Sequence, residues 1–130
     1  MNAYRKERLI HIAQNLQDLR TGRSLHFSFI LDKNKLLCYA ANDYRNSHLA
    51  HKFGEYSPFK SHTVNYKVGR HSECEVLRQY LSKFGNLDVS GLTLFNVRID
   101  KHGNTMQSKP CQNCQKVLDG LNFKEIIWTK

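Results

Sequence analysis

The chain has 130 residues, 40% of them hydrophobic, which suits one domain spanning 1–130 with a single packed core. Its longest apolar runs, such as Phe29-Ile30-Leu31, fall far short of the roughly 20 residues a spanning helix needs, so membrane insertion is excluded as a reading. Twenty Lys and Arg against eleven Asp and Glu leave a formal net charge of +9, which points to a polyanionic or phosphorylated partner, although a scattered basic surface would serve solubility alone.

Residues 3 to 20 place Leu9, Ile12, Ala13, Leu16 and Leu19 at spacings of three and four, the stripe of a core-facing helix, and Thr21-Gly22 ends it. The segment is basic, like an organelle transit peptide, but Glu7, Asp18 and the absence of a serine-rich character count against that. Two strands are expected at Ser24 to Asp32 and Lys35 to Asn42, antiparallel across the polar turn Asp32-Lys33-Asn34. From Asp43 to Arg70 no periodicity holds, and a loop of that length inside a compact domain is usually functional. A second helix starts at His71, buries Cys74, Leu77, Leu81 and Phe84, and ends near Gly85. A strand over Gly91 to Ile99 and a turn at Asp100 to Asn104 come next. The third helix is expected from Cys111 to Asp119, with Val117, Leu118 and Leu121 inward and Gly120 near its end, and Phe123 to Trp128 forms a last strand. Helices alternating with the later strands imply crossovers, some parallel pairing and an α/β fold with helices covering a mixed sheet.

Four cysteines without a secretory segment read as cytosolic thiols, hence a cytoplasmic protein, and leave sulfur free for metal. Cys111 and Cys114, with two residues between them at a helix start, can turn both sulfurs on one ion, with Pro110 at the entry. Backbone N–H groups there favour thiolate. His71, at the start of the preceding helix, is a natural third ligand, and three protein ligands leave a fourth position for water, whose pKa zinc lowers towards about 7. Glu73 lies two residues on, near enough to handle protons. The Cys-x-x-Cys pair by itself also suits a redox dithiol or half of a structural zinc site. A structural site would need a fourth strong ligand, which Cys38 or Cys74 could offer, but each lies in an apolar pattern where a buried thiol is the usual role.

With His71-Ser72-Glu73 followed by Pro110-Cys111-Gln112-Asn113-Cys114, the chain resembles the cytidine deaminase-like superfamily, whose signature is H-x-E and then P-C-x-x-C. The resemblance covers most of the chain. It implies a three-layer α/β/α core with a sheet of four to five strands, zinc (Zn2+) held between two helix N-termini by His71, Cys111 and Cys114, and Glu73 as the catalytic proton carrier rather than a ligand. It also implies that Asn42 contacts the substrate sugar and that the Lys109 carbonyl accepts a hydrogen bond from the substrate amino group. Lys109 replaces the more familiar small or acidic residue, and Ser72 the usual alanine. Asn42 is followed by Asp43 and Tyr44 rather than by the Asn-x-Glu pair of free-nucleoside deaminases, which weakens a nucleoside substrate. A further strand after Trp128 is missing, so a minimal core, completed by homo-oligomerisation, is expected.

The expected reaction is hydrolytic deamination of cytosine to uracil in a phosphorylated substrate, either a (deoxy)cytidine nucleotide or single-stranded nucleic acid. Between Asp43 and Arg70, Arg45, Lys52, Lys60, Lys67 and Arg70 interleave with Tyr44, Phe53, Tyr56, Phe59 and Tyr66, a mixture suited to holding phosphate and stacking bases, although such rings also anchor long loops. Tyr44, Lys60, His62 and Ser72 are candidate substrate contacts beside Asn42 and Lys109. Adenine deamination on RNA is an alternative, because the zinc motifs do not distinguish the bases. Another is a catalytically silent nucleic-acid-binding module that keeps zinc for stability.

Overall fold

The computed structural model describes residues 1–18, 25–42 and 71–130. Helix α1 (Ala3–Asp18) is followed by strands β1 (Leu25–Asp32) and β2 (Lys35–Ala41), helix α2 (Ser72–Phe84), strands β3 (Thr93–Ile99) and β4 (Thr105–Met106), helix α3 (Gln112–Asp119) and strand β5 (Glu125–Trp128). The loop 43–70, with Tyr44, Lys60 and His62, lies outside the described residues, as does the expected end of the first helix.

The five strands form one open sheet. β1 pairs antiparallel with β2 on one side and with β3 on the other. The far edge of β3 is shared: Arg98 and Ile99 pair antiparallel with β4, while Thr93 to Asn96 pair parallel with β5. The parallel pair is the one whose strands are joined through α3, the crossover that the helix-strand alternation predicts. The fifth strand lies before the cysteine pair rather than after Trp128. Two residues long, it has no readable pattern, and it is held by the turn that precedes it, where Asp100 Oδ1 accepts from the backbone N–H groups of His102 and Asn104 and Gly103 takes a left-handed φ of 86°.

Side-chain alternation divides the core. Leu25, Phe27, Phe29 and Leu31 of β1 and Phe95, Val97 and Ile99 of β3 pack with Leu9 and Ala13 of α1. Ile30, Leu94 and Ala40 belong to a second cluster with Val76, Leu77 and Tyr80 of α2 and Val117 and Leu118 of α3. Helices therefore lie against both faces of the sheet. A register shift at Ile30/Leu31 makes Leu37 an extra residue in β2, so Leu37 and Cys38 both reach the α2 side. Gly85, with φ 78°, ends α2 and donates to the Leu81 carbonyl at 2.8 Å. No helix among the described residues is long and apolar enough to cross a membrane.

Candidate metal centre

Two helix starts carry the site. His71 is the N-cap of α2, extended at φ −74° and ψ 151°, and its side chain makes no capping bond. The imidazole is thus free to turn outward from its own helix. Cys111 is the N-cap of α3, and its sulfur accepts from the Cys114 backbone N–H at 3.4 Å, which folds the first turn so that both sulfurs share one side. Cys114 is fully buried and Cys111 exposed.

His71 Nδ1 stands 3.3 Å from Cys114 Sγ and 3.6 Å from Cys111 Sγ. The three ligand atoms all lie within 4.8 Å of one another. Zinc bonds of about 2.3 Å to sulfur and about 2.05 Å to nitrogen, set at tetrahedral angles, place nitrogen and sulfur about 3.5 Å apart. The observed separations agree within a few tenths of an ångström, so the group could hold a metal ion such as zinc, with one tetrahedral corner open. Glu73 stands outside this cluster.

The electrostatics favour a cation. A hydrogen-bonding Cys74 thiol, burial, and the neighbouring charges of Glu73, Cys74 and Cys111 push the Cys114 thiol far above its ordinary range. A second thiolate is costly in this pocket until a positive charge arrives, and a divalent cation between two helix N-termini supplies it. Cys38 lies apart on β2, where burial, partly opposed by the Lys83 ammonium, lifts its thiol to about 11. It stays protonated and packs with the α2-side core.

Glu73, in the first turn of α2, is only 6% exposed. Its Oε2 accepts from Asn96 Nδ2 at 3.1 Å, and its Oε1 lies 3.2 Å from Ser72 Oγ. Ser72, expected among the substrate contacts, is buried, with its hydroxyl 2.7 Å from that of Ser28. Asn42 follows β2, donates its backbone N–H to the His26 carbonyl and accepts the His26 N–H at Oδ1, both at 3.0 Å. These two bonds extend the β1–β2 pairing past its last residue and hold Asn42 at the end of the sheet. Lys109 is exposed, with its ammonium 5.8 Å from the centroid of the Trp128 ring. The structure thus brings His71, Cys111 and Cys114 together with Glu73 beside them.

Sequence reasoning passed over Ser28, Asn96 and His26. Their signal was a polar residue inside an otherwise apolar strand, a local inconsistency of the kind functional sites tolerate. His26 pairs with Arg98 across β1 and β3. Burial, then the Arg98 guanidinium and His71, press its pKa down to about 4. An unfolded histidine titrates near about 6.5, so between these values the unfolded chain binds a proton that the folded chain refuses. The folded state keeps its full stability above about pH 6.5 and loses it progressively down to about pH 4, by about 1–2 kcal/mol once partial exposure is allowed for. His26→Gln should remove this loss. Equilibrium denaturation of wild type and variant at about pH 7.5 and about pH 5 checks it, because both chains share the metal ligands and differ only in this group. Equal acid losses would rule it out.

No model of a known protein family matches this chain, and no curated protein matches it in sequence.

Proposed function

We propose that the chain is a zinc-dependent deaminase that hydrolyses the exocyclic amino group of cytosine in a phosphorylated substrate. The observation that carries this reading is one imidazole and two thiols gathered at two helix starts, with a buried carboxylate beside them but outside the ligand set. A structural zinc site has four protein ligands and no need of such a neighbour. Helices on both faces of a five-stranded sheet, with both thiols at the start of the crossover helix, agree with the superfamily arrangement that the motifs resemble.

When bound, zinc supplies a Lewis acid that makes water a usable nucleophile near neutral pH. His71, Cys111 and Cys114 would hold it. Glu73 takes the two protons that water gives up in turn and delivers one to the ring nitrogen and one to the departing amine, so that water and the aminopyrimidine become the oxo base and ammonia. The Lys109 carbonyl orients the amino group and Asn42 the sugar. The net charge of +9 favours a phosphorylated carrier, either a nucleotide or a single strand.

A mass-spectrometric screen of zinc-loaded protein against cytosine and adenine mononucleotides and short DNA and RNA strands tests the reading. The expected result is exchange of amino for oxo on a cytosine substrate with release of ammonia. Turnover of strands whose binding weakens steeply with salt would identify a polynucleotide enzyme. Strand binding without turnover of any substrate would mean a silent zinc module and end the enzymatic reading.

A further inference from the structure

Ser28 and Asn96 face each other across β1 and β3, and both are buried. Polar side chains so placed cost stability unless they are bonded, and these are bonded in a continuous chain. Ser28 Oγ donates to Asn96 Oδ1 at 2.6 Å. An amide oxygen cannot donate, so Ser28 gives its one hydrogen there, Ser72 donates across the 2.7 Å contact, and the longer 3.2 Å approach of Ser72 Oγ to Glu73 Oε1 is left at most a minor share of that same hydrogen.

Two acceptor-only partners determine which way the Asn96 amide points. Nδ2 faces Glu73 Oε2 at 3.1 Å and the Ser108 carbonyl at 3.3 Å. The flipped amide would set its oxygen against a carboxylate and a carbonyl, neither of which can donate to it. The same residue is tied to the segment leading into the cysteines. Ser108 Oγ donates to the Asn96 carbonyl at 2.9 Å and accepts from the Thr129 N–H at 2.9 Å. Ser108 is followed by Lys109, Pro110 and Cys111. One side chain therefore joins the carboxylate on α2 to the segment that delivers the sulfurs of α3.

We propose that Asn96, oriented by the Glu73 carboxylate and the Ser108 carbonyl and held by Ser28, is a positioning residue that aims the Glu73 carboxylate at the open corner of the metal centre and sets its spacing from Cys111 and Cys114. The proposal rests on the deaminase reading, and its test must separate the two. Asn96→Ala should lower kcat by about 10- to 100-fold with KM little changed and zinc retained, the range expected when a partner of the reacting shell is lost. In a Glu73→Gln background the same change should slow the enzyme no further, because there is no carboxylate left to aim.

Cobalt(II) in place of zinc provides a readout besides turnover. Its visible bands respond to what fills the fourth position, so Asn96→Ala should shift them in the direction that Glu73→Gln does. Phe95→Leu, which loosens the same strand from its α1 side, should lower Tm and leave spectrum and rate alone. If Asn96→Ala does not fold, Ser28→Ala keeps the amide, removes a bond that holds it in place, and should move both readouts in the same direction by a smaller factor. A wild-type protein that deaminates nothing defeats the proposed function, and the cobalt spectra still decide the positioning. A wild-type spectrum in the folded variant, or an equal further loss of rate in the Glu73→Gln background, overturns the proposal.

Discussion

Replacing Glu73 with alanine should lower deamination by about 10²- to 10⁴-fold, the range that a positioned acid-base group supplies, while the protein still carries one zinc ion. The two halves of this expectation come from different observations. Metal retention follows from the ligand cluster, which comprises His71, Cys111 and Cys114 and leaves Glu73 outside. The loss of rate follows from the proton traffic, since no other described carboxylate is buried beside that cluster; Glu75, the other buried one, bonds Arg78 at 3.1 Å. Removing the carboxylate also deprives Asn96 Nδ2 of an acceptor, at a cost of about 1–3 kcal/mol that Glu73→Gln avoids in part by keeping one carbonyl oxygen. Turnover and metal content measured on the same preparations decide the matter. Loss of zinc from Glu73→Ala would mean that the carboxylate is a ligand and that its assigned role is wrong.

Cys114→Ser should have the largest effect on stability. Cys114 is fully buried between α2 and α3, so its sulfur serves both the metal centre and the core. An ion bound at a thousandfold excess over its dissociation constant stabilises the folded chain by about 4 kcal/mol, and a variant that cannot hold it forfeits that amount. The expected outcome is a protein without stoichiometric zinc whose Tm falls about as far as that of wild type treated with a strong chelator, and which the chelator barely affects further. Cys74→Ser, one helix turn into α2 and outside the ligand group, should keep its zinc. Stoichiometric zinc in Cys114→Ser would place the ion elsewhere.

Much of the local structure was legible. Gly85 marks the end of α2 and Cys111 the start of α3, and the alternation in Leu25 to Leu31 separates the two faces of the sheet. The boundaries that moved did so for local reasons. Gly91 takes a left-handed φ of 77°, so β3 begins at Thr93, and Asn42 bonds His26 from just beyond the last residue of β2. β4 was not legible, since its two residues are a strand only because β3 presents Arg98 and Ile99 to them.

By itself the sequence determined the chemical types and their local setting: a histidine and a carboxylate two residues apart at one helix start, and two thiols three apart at another. Helix signals act within a turn, so they survive in a linear reading. Only the tertiary structure decided that His71 lies 3.3 Å from Cys114 across a sequence separation of 43, that Ser72 points to Ser28, and that Asn96 links Glu73 to Ser108. Those contacts depend on how α2 and α3 settle on the same sheet face, which is set by packing of the whole core, and a buried polar residue shows its purpose only when its partners are in place.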